Sequence, residues 1–125
     1  MATLTFKKQF APLVSNGQKK QTIRRKKIVK FRVGEKLYCF TGLRRKDCKR
    51  LGEFKIKSVQ TLNFAASMDL PITSIIIDGQ RLTVMQAYEL AQADGFKNIT
   101  EMTDWFLFHY GKEIYQTDFW LIKWE

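Results

Sequence analysis

The 125-residue sequence carries 22 Lys and Arg residues against 12 Asp and Glu, a formal net charge of +10, with 45% hydrophobic residues. This length and composition predict one globular domain over residues 1–125 and exclude a disordered tail or a two-domain protein. Apolar runs such as Trp105–Phe108 are only a handful of residues long, which excludes a membrane-spanning helix. Because the first residues lack a charged-then-apolar signal pattern, we expect a cytoplasmic protein without a membrane partner.

The positive charge is concentrated in the first half of the chain. Residues 1–60 carry 18 basic and 3 acidic side chains, a net +15, whereas residues 61–125 carry 4 and 9, a net −5. Such a separation predicts a positive face, which is typical of proteins that bind nucleic acid or another polyanion. An anionic membrane surface fits less well, since no amphipathic helix carries the basic residues.

The first 25 residues predict a strand, a helical turn and a second strand. Thr3–Phe6 alternates polar and apolar residues, as strands do. Ala11–Val14 is a helical turn, and Gly17 can take the positive φ that ends it. The β-branched residues Thr22 and Ile23 then lie at the centre of the second predicted strand.

The second strand carries the first candidate site. Alternation places Lys20, Thr22 and Arg24 on one face and Ile23 in the core, with Lys19 at the corner before the strand. An ammonium, a hydroxyl and a guanidinium held close together suit a phosphate, a carbonyl or a nucleobase edge. A basic, solvated edge strand is the alternative interpretation.

Two basic loops flank a third predicted strand, Leu37–Phe40, which is apolar enough to be central. The first loop covers residues 24–32 and the second covers residues 44–50. The candidate nucleic-acid-binding residues in these loops are Arg24, Arg25, Lys26, Lys27, Arg44, Arg45 and Lys46. The sequence permits both loops to lie at the same end of a small barrel, where they would form a basic rim.

Residues 48–61 predict one long or bent strand. Phe54 and Ile56 are expected to face inward, and the alternation switches near Ser58, as at a β-bulge. Cys39 and Cys48 are then expected to be reduced thiols on neighbouring strands. Two Cys and the single His109 are too few for the roughly four ligands of a zinc site, so we expect no metal and no cofactor.

The second half begins with a loop and a strand. Residues 62–71 lack a clear period, and Pro71 marks the end of a loop. Ile75–Ile77 predicts a strand that ends in the turn formed by Asp78 and Gly79.

Two helices follow. Thr83 and Gln86 have the spacing of a capping box and start a helix that runs to about Asp94, where Gly95 ends it. The predicted core-facing stripe of this helix consists of Val84, Ala87, Tyr88 and Ala91.

A second capping box at Asn98–Glu101 starts another helix, which Gly111 ends. Its predicted core-facing residues are Met102, Trp105, Phe106, and either His109 or Tyr110. Phe119–Trp124 is an aromatic strand that closes the sheet. We interpret the aromatic clusters as core and not as base-stacking platforms. Strands followed by a helical pair and one returning strand predict an α+β fold.

Asp94 is a second polar anomaly, because a carboxylate is mildly unfavourable at a helix C-terminus. Simple solvation of its side chain is the commoner explanation. The alternative is that Asp94 faces a cation in a pocket, where burial would raise the pKa of its carboxyl group. Lys19 or Arg24 could supply that cation.

Several motifs resemble those of the ASCH domains, relatives of the PUA RNA-binding fold. The first is Gly17-x-Lys19-x-x-Thr22-x-Arg24. The likeness continues through residues 33–42, through Cys48-x-x-Leu51-Gly52-Glu53, and through residues 93–96 with the following helix and the closing strand. It covers nearly the whole chain and is weakest around residues 62–82.

The resemblance implies a small PUA-like β-barrel with helices packed around it and a cleft lined by the first motif. Family members are proposed to bind RNA or modified nucleosides. One branch contains small amidohydrolases that remove the acetyl group from N4-acetylcytidine. In that branch a Lys, a Thr and a Glu are thought to act as proton acceptor, nucleophile and proton donor, and these positions correspond to Lys19, Thr22 and Asp94. The carboxylate of Asp94 is one methylene shorter, and Arg24 matches the family arginine.

Three functions therefore stand as hypotheses. The first is an RNA-binding or modified-nucleoside-binding domain with a basic rim, in which the partner is RNA or single-stranded nucleic acid. The second is an amidohydrolase that deacetylates N4-acetylcytidine or a related acylated nucleoside, with Lys19, Thr22 and Asp94 as its catalytic residues. The third is a basic protein-interaction domain. We expect a monomer or a weak dimer in each case.

Overall fold

One strand of 17 residues, β4 (Lys49–Ala65), organises the sheet in the computed structural model, which describes residues 2–27, 30–66 and 74–125. The other strands are β1 (Ala2–Phe6), β2 (Gln21–Arg25), β3 (Lys36–Thr41), β5 (Ser74–Ile77), β6 (Gln80–Arg81) and β7 (Phe119–Trp124). The helices are α1 (Ala11–Ser15), α2 (Val84–Ala93), α3 (Ile99–Tyr110) and a 3-10 helix, Gly111–Gln116. The order of elements confirms the α+β prediction.

The first half of β4 pairs with β3, and its second half pairs with β7 and β5. The register shifts between Ile56 and Ser58, which confirms the bulge expected near Ser58. A bulge increases the local twist of a strand, and the seven strands form a curled, half-barrel sheet with helices. β4 therefore joins two differently oriented parts of one sheet.

Two further pairings bring distant parts of the chain together. β1 runs parallel to β3, so Phe6 lies opposite Thr41 and the carboxyl ends of both strands meet at one edge. β2 pairs antiparallel with β7, with Thr22 opposite Ile122. The closing strand thus lies between β2 and β4 instead of at an edge.

The core consists of aromatic and aliphatic side chains from the sheet and the helices. Phe64, Phe106 and Phe119 are almost fully buried, and their ring centroids lie 5.1–5.6 Å apart. Burial of this much apolar surface is the main stabilising contribution to such a fold. These residues confirm the core interpretation for part of the aromatic clusters, whereas Phe108 is 86% exposed and Trp105 and Trp120 are half-buried.

The capping box predicted at Thr83 is confirmed, and of the box predicted at Asn98 the N-cap hydrogen bond is present. Thr83 and Gln86 form a complete capping box at the start of α2. The side chain of Asn98 accepts a hydrogen bond from the backbone N–H of Glu101 at the start of α3, and Gly111 follows the last residue of that helix. The positions at which α2 and α3 begin therefore follow from local side-chain hydrogen bonding.

The predicted stripe of α2 is partly wrong. Ala87 and Ala91 are buried together with Leu90, but Val84 is 72% exposed and Tyr88 is 39% exposed. The cause is that α2 presents its Ala87–Leu90–Ala91 face to the protein, which rotates the predicted stripe towards solvent. In α3, Tyr110 is half-buried and His109 is exposed, so Tyr110 is the core-facing residue of that pair.

Other predictions concern strand ends and cysteines. β4 continues to Ala65, beyond the predicted end at residue 61. Cys39 is buried and Cys48 is exposed, and both are free thiols; burial raises the pKa of Cys39 to about 12. The predicted loop end at Pro71, and residues 28 and 29 of the first basic loop, lie outside the described residues.

Two features are absent from the residues that the structure describes. No helix among them is long and apolar enough to cross a membrane. In the same part of the chain, no group of three or more His, Cys, Asp and Glu residues is arranged to hold a metal ion.

Candidate functional site

A cavity of about 560 Å³ lies where the carboxyl ends of β1 and β3 meet β2, the end of α2 and one face of α3. This volume falls in the range of small-molecule sites. Its charged lining residues are Lys7, Lys8, Lys19, Arg24, Arg45 and Asp94. Its aromatic lining residues are Phe6, Phe10, Phe96, Trp105, Phe106 and Tyr110. The cavity is therefore lined by both basic and aromatic side chains, and two of these lie against each other, with Lys19 Nζ 5.0 Å from the ring centroid of Phe10.

A buried ion pair forms the floor of the cavity. The Lys19 Nζ lies 3.1 Å from Asp94 Oδ1 and 2.6 Å from the backbone oxygen of Asp94. Lys19 is 2% exposed and Asp94 is 4% exposed. The interpretation of Asp94 as a solvated residue is thus wrong, because the end of α2 packs against the start of β2 and covers it.

Local backbone geometry positions both Lys19 and Asp94. Gly17 has φ of 84°, which turns the chain after α1, and the backbone N–H of Lys19 donates to the carbonyl of Leu13 at 2.9 Å. On the other side Asp94 is the C-cap of α2. A cation is favourable at a helix C-terminus, so Lys19 offsets the unfavourable position of the Asp94 carboxylate.

Gln21 supports the carboxylate from a third direction. Its Nε2 lies 3.3 Å from Asp94 Oδ1 and 3.3 Å from the backbone oxygen of Leu90, and the residue is 4% exposed. Gln21 was not among the site residues predicted from the sequence. The available signal was an amide at the start of the strand that carries Thr22 and Arg24.

Burial shifts the pKa values of both partners. Desolvation lowers the pKa of Lys19, and the nearby Asp94 carboxylate opposes that effect. Desolvation raises the pKa of Asp94, while Lys19 and Gln21 oppose it. Both shifts favour the neutral forms of the two side chains. The charged pair and the neutral pair differ only by the transfer of one proton along the hydrogen bond. Burial therefore brings these two states closer in free energy than they would be in water. This is a suitable arrangement for a proton acceptor next to a proton donor.

Thr22 and Arg24 form a second polar group on the wall of the cavity. Arg24 Nε donates to Thr22 Oγ1 at 3.0 Å, and Arg24 Nη2 donates to the backbone oxygen of Thr5 at 2.7 Å. The guanidinium also lies 4.7 Å from the ring centroid of Phe6. The Thr22 oxygen therefore accepts from a cation and keeps its own proton to donate. A negative charge that forms on or near that oxygen would be stabilised.

The predicted strand face is corrected at Lys20, which is exposed and does not line the cavity. β2 begins at Gln21, so the alternation that relates Thr22 and Arg24 does not extend back to Lys20. Lys19, from the corner, is the lysine that lines the cavity.

The two basic loops do not converge as a complete rim. Arg45 lines the cavity, whereas Arg25 lies 3.4 Å from Glu113, and Lys26 donates to Thr61 at 2.8 Å and stacks on Trp120. The remaining predicted binding residues, which are exposed and outside the cavity lining, are Lys27, Arg44 and Lys46. Only Arg24 and Arg45 of the predicted set therefore belong to the cavity.

Lys7 and Lys8 line the cavity although the sequence analysis did not select them. They directly follow β1, and the parallel pairing of β1 with β3 brings them next to the turn that contains Arg45. A basic pair at the carboxyl end of a strand was the available signal. It becomes informative only when the strand pairing is known.

Gly95 directly follows Asp94, the C-cap of α2. Replacement of Gly95 by alanine is expected to lower the free energy of unfolding by about 2–4 kcal/mol. Gly95 has φ of 99°, and an added Cβ would lie 3.1 Å from Phe10 Cδ1 and 3.2 Å from Leu13 Cδ1. Gly79 is a matched control, since its φ is 83° but a Cβ there meets nothing within 4 Å. Denaturant titration should show a loss for Gly79→Ala of about 1–2 kcal/mol only. Equal losses would contradict the crowding argument.

No protein-family model, curated protein or solved structure matches this chain. The likeness to the ASCH domains accordingly rests on the sequence motifs quoted above.

Proposed function

We propose that this protein is a PUA-like domain of the ASCH type that binds RNA and holds a nucleotide or a modified nucleoside in its cavity. One observation carries the proposal: among the described residues, five Lys and Arg side chains line the cavity against a single carboxylate. That carboxylate, Asp94, is already paired with Lys19. A ligand that enters therefore meets an excess of positive charge, which favours an anion.

The aromatic residues that line the cavity support a nucleobase as the other part of the ligand. Phe6, Phe10 and Phe106 are buried, whereas Trp105 and Tyr110 of α3 are half-buried and retain exposed surface. Aromatic rings of this kind stack on unpaired bases. An unpaired base is accessible in single-stranded RNA, so we propose single-stranded RNA as the partner in preference to duplex DNA.

Binding to RNA is expected to weaken as the salt concentration rises. If three to four phosphates are contacted, the dissociation constant of a labelled single-stranded oligonucleotide should rise about 20- to 50-fold between 50 and 200 mM salt. Fluorescence anisotropy measures this directly, with duplex DNA of the same length as the comparison. Failure to bind at 50 mM salt, or affinity that is independent of salt, would contradict the proposal.

A second candidate function is hydrolysis of an acylated nucleoside, and the buried Lys19–Asp94 pair, which lines the same cavity as Thr22, favours it. Thr22 Oγ would attack the acetyl carbonyl of N4-acetylcytidine and transfer its proton to neutral Lys19. Protonated Asp94 would donate to the N4 leaving group, which releases cytidine and leaves an acetyl ester on Thr22. Water would then hydrolyse the ester to acetate and restore the hydroxyl. Arg24 would stabilise the negative charge on the tetrahedral intermediate.

Incubation with N4-acetylcytidine, followed by chromatography for cytidine, tests this second function. The shorter carboxylate of Asp94 makes the test informative, because a displacement of about 1 Å can reduce a catalytic effect by about 10²-fold. Turnover no greater than that of the Lys19→Ala variant would exclude the amidohydrolase and leave the binding function untouched.

A further inference from the structure

The cavity contains two kinds of cation. Lys19 and Arg24 lie deep in the cavity and already have partners. Lys19 is paired with Asp94, and Arg24 donates hydrogen bonds to Thr22 and to a backbone oxygen. Lys7 and Arg45 are exposed at the rim, and no described carboxylate lies within ion-pair distance of either side chain. Lys8, their neighbour, is 3.5 Å from Asp47. The cations that remain without a counter-charge in the described structure are therefore at the rim.

The position of these two residues follows from the strand pairing. Lys7 directly follows β1, and Arg45 belongs to the turn after β3, whose backbone is closed by a hydrogen bond from Arg45 N–H to the Gly42 oxygen at 2.9 Å. Because β1 and β3 are parallel, both cations lie at the same edge of the sheet. Trp105 and Tyr110 line the cavity from α3. A ligand that uses the whole cavity thus has an aromatic part and an anionic part.

We infer that Lys7 and Arg45 form a phosphate subsite, so that the cavity binds a nucleotide in preference to the corresponding nucleoside. The inference rests on the proposed function and deepens it. The phosphate on the sugar contacts the ammonium of Lys7 and the guanidinium of Arg45, and the base lies against Trp105 and Tyr110. Arg presents paired donors that match the oxygens of a phosphate, and Lys adds a point charge.

The experiment compares matched ligands and matched variants by calorimetry at 50 mM salt. The ligands are cytidine and cytidine 5′-monophosphate, their N4-acetyl forms, and a single-stranded RNA hexanucleotide, which separates a free phosphate from one in a chain. The variants are the Lys7→Gln/Arg45→Gln double variant and Lys46→Gln. Lys46 is adjacent to Arg45, exposed and outside the cavity lining, so Lys46→Gln controls for loss of general positive charge. Circular dichroism verifies folding, which exposed substitutions are expected to preserve.

We expect each monophosphate to bind the wild-type protein about tenfold more tightly than its nucleoside, because Lys7 and Arg45 are exposed and their contacts with a phosphate are weakened by solvent. The double variant should lose this preference and about tenfold in RNA affinity, whereas Lys46→Gln should retain both. Equal affinity for nucleoside and nucleotide, or a preference that persists in the double variant, overturns the subsite while the proposed function stands. If neither the small ligands nor the RNA bind, the proposed function fails and the subsite fails with it.

Discussion

Replacement of Lys19 by methionine is expected to lower the free energy of unfolding by about 3–5 kcal/mol at pH 7, because it leaves the Asp94 carboxylate buried without its cation. Methionine retains most of the volume and the unbranched shape of the lysine side chain. Lys20→Met is the matched control, since Lys20 is adjacent but exposed, and its effect should stay within about 0.5 kcal/mol. Urea denaturation of the three proteins measures both values. Equal effects of the two substitutions would show that the pair contributes nothing.

The two halves of the pair should also give opposite pH dependences. In Lys19→Met, the pKa of Asp94 is raised by burial above its ordinary 3.8, so the folded state prefers the protonated acid. The stability of this variant is therefore highest below pH 3.8 and falls as the pH rises through the pKa of the folded state. In Asp94→Asn, the pKa of Lys19 is lowered by burial below its ordinary 10.5, so stability is greatest above pH 10.5 and falls as the pH decreases.

Unfolding curves recorded from pH 3 to 10.5, each expressed relative to the wild-type protein, distinguish these trends. The loss in Lys19→Met should shrink towards acid pH, and the loss in Asp94→Asn should shrink towards alkaline pH. Parallel curves for the two variants would mean that the introduced side chains, and not an uncompensated buried charge, cause the loss.

Replacement of Thr22 by valine is expected to abolish the deacetylation of N4-acetylcytidine, with a loss in kcat of at least about 10³-fold, if Thr22 is the nucleophile. Valine keeps the β-branched shape that suits β2, so the strand is retained. Thr41→Val is the matched control: Thr41 also lines the cavity, but its hydroxyl donates to the Phe6 backbone oxygen at 2.8 Å.

The Thr22→Val variant also separates the two proposed functions. RNA affinity should change by less than about twofold, because the hydroxyl carries no charge and the cations of the cavity remain. Loss of turnover with retained RNA binding would assign the hydroxyl to catalysis. If Thr41→Val loses as much turnover as Thr22→Val, the loss reflects a disturbed cavity and the nucleophile assignment is wrong.

Sequence reasoning succeeded where local chemistry decides the structure. The bulge near Ser58, the capping box at Thr83 and the cap at Asn98 depend on neighbouring residues, and all three are present. The choice of Lys19, Thr22, Arg24 and Asp94 as a group is also matched by the geometry, since all four line one cavity.

It failed where packing between distant segments decides the environment. Strand alternation assumes one buried and one exposed face, but Gln21, Thr22 and Ile23 are all buried, since both faces of β2 are covered there. For the same reason Asp94 could not be placed, because its burial depends on Lys19, which is 75 residues away. Which of Val84 and Leu90 in α2 faces the protein core is likewise decided by tertiary packing.

The pairing of β2 with β7 has a consequence for the order in which the protein folds. Residues 21–25 take their strand partner from residues 119–123, so closing this contact orders almost the whole chain. Contacts of such long sequence separation are costly in entropy and form slowly. Thr22 and Arg24 are therefore fixed late, and the cavity that they line is complete only after the last strand has joined the sheet.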